Sequence, residues 1–163
     1  MGKSVAELMT REVVVVSQDQ EIHEAERLCL RHGVHGLPVV DAGGRPVGVI
    51  SQTDILNWHF GNAVDGTTFY GERPLRRVAE APDLGALRLS DIRSAPISEV
   101  MTPLVHAIRP EAPASEAAEL MIRLGVHRLV VVDADGRLAG IVSALDLLRE
   151  IPGVSDRIRA GGA

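Results

Sequence analysis

The residues best suited to chemistry in this chain are two serine–acid pairs, Ser51-x-x-Asp54 and Ser143-x-x-Asp146, each preceded by Gly-x-x. A helix starting just after such a serine presents backbone N–H groups that favour a phosphate, and a carboxylate in its first turn can accept hydrogen bonds from two vicinal hydroxyls. The same spacing fits a variant capping box, in which the serine hydroxyl accepts a backbone N–H and the acid complements the helix dipole. The two roles are compatible, and both stay open here. His35 and the pair His127-Arg128 form a second group of candidates, each just before an apolar run. A guanidinium recognises phosphate by its planar fork, whereas either histidine could equally be a half-buried ring satisfied by backbone carbonyls.

No constellation for catalysis accompanies them. The six histidines, His23, His32, His35, His59, His106 and His127, show neither H-x-x-x-H nor H-E-x-x-H spacing, and the chain has no C-x-x-C, G-x-S-x-G or P-loop. His32 with His35 comes nearest to a metal pair, but Gly33 would end a helix between them. The expectation is a protein that is not an enzyme, with no metal and no required cofactor.

The elements that must position these residues are written twice. Met9-Thr10 recurs as Met101-Thr102, Gly33-Val34-His35 as Gly125-Val126-His127, Asp41 as Asp133, Gly44 as Gly136, and Gly48-x-x-Ser51-x-x-Asp54 as Gly140-x-x-Ser143-x-x-Asp146, all at one offset without a gap. About 22 of roughly 52 aligned positions are identical, so one supersecondary unit is repeated. In the first copy, residues 13–16 read as a buried strand, and Ile22, Ala25, Leu28, Cys29 and Leu30 lie near helical spacing before Gly33. Residues 37–41 and 46–50 read as a hairpin around a Gly-Gly turn, with a second helix from Gln52. The second copy repeats this with a strand at 105–108, a helix at about 114–124, strands at 129–133 and 138–142, and a helix from Ala144. Each unit is β-α-β-β-α. Strands without polar alternation imply sheets covered on both faces.

The chain has 163 residues, 45% of them apolar and 24% charged, in keeping with a globular protein. No apolar run approaches the roughly 18 residues of a membrane span, and Met1-Gly-Lys-Ser leads into a helical pattern rather than a signal-peptide core, so a cytoplasmic location is expected. Sixteen arginines and one lysine are scattered against a net charge of −5, without a basic stripe for nucleic acid. The single cysteine, Cys29, occupies an apolar helical position and is expected to be buried and inert.

The order of these motifs, from Met-Thr through Gly-Val-His-x-Leu-x-Val-Val-Asp and the Gly-Arg hairpin to Gly-h-h-Ser-x-x-Asp, resembles the cystathionine β-synthase (CBS) domain. Two in tandem resemble a Bateman module. The resemblance implies an α/β (α+β) fold in which two β-α-β-β-α repeats pack sheet to sheet with pseudo-twofold symmetry, binding adenosine-containing ligands in clefts between them. It implies that the matching Ser51, Asp54, Ser143 and Asp146 contact phosphate or ribose and that His35, His127 and Arg128 face the phosphates. Thr10 and Thr102 would approach base or ribose, with a local helix-ending hydrogen bond as the competing role. Gly36 replaces the arginine of the second copy, and Pro38 stands where that copy has Val130, so the two sites need not share one ligand.

By this resemblance the chain divides into repeat 1 (1–56), a long inter-repeat linker (57–96), repeat 2 (97–151) and a tail (152–163). The linker holds every aromatic residue, Trp58, Phe60, Phe69 and Tyr70, as a local cluster, at a dimer interface or as a lid that stacks on adenine. Segments 75–78 and 84–92 read as short helical turns. Ile55, Leu56, Leu147, Leu148 and Ile151 offer an apolar stripe for the homodimer common among such modules, or for packing within the chain. The expected function is a regulatory sensor of AMP, ADP or ATP, or of S-adenosylmethionine or NAD, acting in trans on an unknown regulated protein. The alternative is a ligand-free structural or interaction module that dimerises through its helices.

Overall fold

The computed structural model describes residues 2–60, 67–68, 71–72 and 94–149. Its elements run α1 (Val5–Leu8), β1 (Val16–Ser17), α2 (Ile22–His32), β2 (Gly36–Val40), β3 (Pro46–Ser51), α3 (Gln52–Phe60), β4 (Thr67–Thr68), β5 (Gly71–Glu72), α4 (Ile97–Val100), β6 (Ala107–Ile108), α5 (Ala114–Leu124), β7 (Arg128–Val132), β8 (Leu138–Ser143) and α6 (Ala144–Leu148). Phe69, Tyr70, Ile151, the helical turns read at 75–78 and 84–92 and the tail lie outside the described residues. The helix α3 carries residues 57–60, which the sequence assigned to the linker.

Contacts divide the chain into a continuous unit, Val14–Val105, and a split unit made of Met1–Val13 with His106–Ala163. In the continuous unit β2 is the central strand, parallel to β1 and antiparallel to β3. Ile22, Ala25 and Cys29 of α2 recur at i, i+3 and i+7, which puts them on one stripe. They bury against Val16, Leu37, Val39, Ile50, Ile55 and Ile97. Leu30 lies off that stripe and is 80% exposed, contrary to its expected place on the apolar face. The helix stops at Gly33, whose left-handed φ of 62° favours a residue without Cβ.

The split unit repeats the plan with β7 between β6 and β8. Leu129, Val130, Val131 and Val142 are fully buried. The hairpins of both units are tied by an aspartate. Asp41 Oδ1 accepts the N–H groups of Gly43 (2.8 Å) and Arg45 (2.9 Å), and Asp133 Oδ1 those of Asp135 (3.0 Å) and Arg137 (2.8 Å).

Each unit contains the opening segment of the other repeat. Thr102 exchanges two backbone hydrogen bonds with Val49 at 2.9 and 3.0 Å, extending the continuous unit's sheet past β3. Thr10 makes the same pair of bonds with Ile141 of the split unit, at 2.8 and 2.9 Å. The bonds that end α1 and α4 come instead from Met9 N–H to the Val5 carbonyl and from Met101 N–H to the Ile97 carbonyl, both 2.8 Å. Gly48 and Gly140 permit the crossing. A Cβ on Gly48 would lie 2.8 Å from the Thr102 carbonyl oxygen and Met101 Sδ, and one on Gly140 equally close to Thr10 and Met9.

The first strand of each copy is two residues long, shorter than the span expected for it, and Pro38 accounts for the different starting points in the two copies. In the split unit Val130 N–H donates to the His106 carbonyl at 2.9 Å, and pairing begins at Ala107↔Val130. Pro38, at the matching position of β2, has no N–H to give. The first-copy ladder therefore begins one pair later, at Val16↔Val39, and runs to Ser17↔Val40.

Candidate functional site

Both serine–acid pairs form at the junction of an antiparallel strand and the following helix. In the continuous unit Asp54 Oδ2 accepts Ser51 N–H at 2.8 Å and Ser51 Oγ–H at 2.7 Å, while Asp54 N–H donates back to Ser51 Oγ at 3.2 Å. Ser51 is fully buried. In the split unit the matching distances are 2.9, 2.6 and 3.3 Å. The capping reading thus describes a real contact, but it consumes one carboxylate oxygen. Asp54 Oδ1 accepts no hydrogen bond from any described residue.

The continuous unit brings Ser51 and Asp54 onto the end of β3 and start of α3, with Thr102 paired to Val49 two positions before Ser51. His35, just before β2, is exposed, and its carbonyl accepts Gln52 N–H at 3.0 Å. Pro38 is buried in the middle of β2 beside Val49. The split unit brings together Ser143 and Asp146 with Thr10, through its pairing to Ile141. The exposed His127 receives Ala144 N–H on its carbonyl at 2.8 Å. Arg128, the first residue of β7, pairs with Ser143 across the ladder. Its guanidinium is half-buried, and desolvation lowers its pKa, a cost that an anion would offset.

Two features escaped the sequence reading. A pocket of about 220 Å³ lies beside Asp54, lined by Asn57, Trp58, Glu99 and Val100. Trp58 also packs against the core of the continuous unit. In the split unit Arg149 Nη1 donates to Asp146 Oδ1 at 3.2 Å. The i, i+3 spacing of an acid and an arginine was visible, but the first copy has Asn57 there, so a search for identities passes over it. Among the described residues no group of three His, Cys, Asp or Glu side chains is arranged for a metal ion. No described helix is long and apolar enough to cross a membrane.

Two three-stranded units, each with a Ser–Asp box where its hairpin enters a helix, make up the architecture of CBS domain pairs. The crystal structure of CBSX2 in complex with AMP superposes with a TM-score of 0.66 at 27% identity, covering 97% of this chain and 99% of that one. The CBS domain family matches residues 5–61 and 97–153, and the chain belongs to that family. It is 31% identical over 145 residues to the uncharacterised protein MJ1426 of Methanocaldococcus jannaschii, covering 85% of each. It is 28% identical to the inosine-5'-monophosphate dehydrogenase of Korarchaeum cryptofilum over 89% of its own length but only 24% of the enzyme's, so most of that enzyme lies outside the match.

Proposed function

We propose that the protein is a non-catalytic sensor that binds an adenosine-containing ligand, AMP, ADP, ATP or a relative such as S-adenosylmethionine or NAD, at its two Ser–Asp boxes. The observation that carries the proposal is the division of labour on Asp54. One oxygen holds the helix start and the other is left to accept a ribose hydroxyl beside a pocket. The AMP complex of CBSX2, alike over nearly the whole of both chains, supports the ligand class. Thr102 in one unit and Thr10 in the other approach the base or ribose, Pro38 shapes the base-binding edge, and His35, His127 and Arg128 serve the phosphates.

Regulation in trans belongs to the same proposal. A ligand shifts a conformational equilibrium only through its differential affinity for two states, so a partner protein must read one of them. The chain also forms a homodimer through its outer helices. Leu30 and Ile122, equivalent in the two copies, are 80% and 82% exposed, and Leu56 and Leu148, likewise equivalent, are 39% and 47% exposed. In the split unit these side chains adjoin an apolar groove of about 390 Å³ lined by Met121, Ile122, Val126, Leu147 and Leu148. A cytoplasmic location is part of the proposal, in keeping with a single buried thiol that takes part in no disulfide.

Calorimetric titration of ligand-stripped protein with AMP, ADP, ATP, NAD and S-adenosylmethionine tests the sensor reading. Saturable binding is expected, with the event at the first Ser–Asp box weakened at least tenfold in Asp54→Ala and the far-ultraviolet circular dichroism unchanged. Silence across the panel from a folded protein would leave the interaction module in its place.

A further inference from the structure

The two Ser–Asp boxes superficially match, but their carboxylates are not in the same state. In the split unit Asp146 Oδ2 takes the two serine donors and Oδ1 takes Arg149 Nη1, so both oxygens have donors before any ligand arrives. In the continuous unit Oδ2 of Asp54 is used in the same way, Asn57 stands at the position of Arg149, and Oδ1 accepts nothing from the described residues. A vicinal diol reaching Asp146 must therefore displace or share a guanidinium that a diol reaching Asp54 does not meet. Asp146 is also the more sheltered partner, with its side chain 14% exposed against 67% for Arg149.

We propose that Arg149 is an internal competitor for the second site, a specificity-determining residue that makes the two sites of one chain unequal. This rests on the reading of Asp54 and Asp146 as ribose acceptors. When the second site fills, the Arg149–Asp146 pair opens. Partly exposed ion pairs are weak, so the expected handicap is about threefold to fivefold in affinity. Salt screens the pair and narrows the gap between the sites.

Calorimetric titration of the full chain with AMP, in the wild type and in Arg149→Asn, tests the proposal. The variant copies the residue that the first copy carries, at an exposed position. Arg149→Asn is expected to tighten the weaker of two binding events about threefold to fivefold, or to reveal a second event where the wild type shows one, with the stronger event unchanged. Adding Asp146→Ala to that background should remove the tightened event. Unchanged or weakened binding in Arg149→Asn would overturn the competitor role, making the arginine idle or a contact to the ligand's phosphate, while leaving the sensor reading standing. Absence of AMP binding in both proteins would overturn the reading of the sites and the competitor with it.

Discussion

Ser51 and Asp54 show how one pair of side chains serves both folding and binding. The box satisfies N–H groups that a helix start leaves without intrahelical partners. Because Oδ2 alone does this work, replacing the acid should have two separable effects. Asp54→Ala is expected to lower stability by about 1 kcal/mol through loss of the cap, measured by urea unfolding, and to weaken the first binding event at least tenfold. Asp54→Asn keeps an acceptor for Ser51 but no longer offers a charged second oxygen, so it should lose less stability while still binding poorly. Cys29 makes a simpler prediction. It is 2% exposed, and burial raises its thiol pKa, so the thiolate is scarce in the folded state. At pH 8 the native protein should react with Ellman's reagent far more slowly than the protein in 6 M guanidinium; equal rates would refute the burial. At this scale the sequence was informative wherever the chemistry is local. Serine and acid three residues apart declare their contact, but Arg149 carries its information as a difference between copies.

At the scale of elements, α5 matches its expected span, and both hairpins lie within a residue of theirs, because apolar periodicity and Gly-rich turns are local signals. Where the short first strands begin was not legible, since it depends on whether a residue far along the chain has an N–H to donate. Pro38→Val should supply one, and hydrogen exchange should show an amide at position 38 protected as Val130 is. Fast exchange there would refute this account of where the strand begins. The exchange of opening segments was also invisible, because Met-Thr reads the same whichever hairpin it joins. Gly48 and Gly140 mark the consequence. A methyl group at either position meets backbone at 2.8 Å, and since the Thr carbonyl is fixed by its ladder bonds, the strand pair must spread. Gly48→Ala and Gly140→Ala are each expected to cost about 1–3 kcal/mol by chemical denaturation.

For the whole molecule, four of the seven exposed large apolar residues among those described fall at equivalent positions on the second and third helices of each copy. Single exposed leucines are ordinary, but Leu30, Leu56, Ile122 and Leu148 form a repeated set. Sedimentation equilibrium at tens of micromolar should give twice the monomer mass, and Leu30→Glu with Ile122→Glu should return it to the monomer; a monomeric wild type would contradict the dimer. Of the stripe expected from Ile55, Leu56, Leu147, Leu148 and Ile151, Ile55 is a core residue at 6% exposure, used for packing within the chain. The central claim, that the Asp54 oxygen with no donor among the described residues receives a ribose, is tested most directly by a crystal structure grown with AMP. The account predicts ribose hydroxyl oxygens within about 2.6–3.0 Å of the Asp54 carboxylate, with the Ser51 contacts intact. AMP bound away from Asp54, or absent from crystals soaked at saturating concentration, would contradict it.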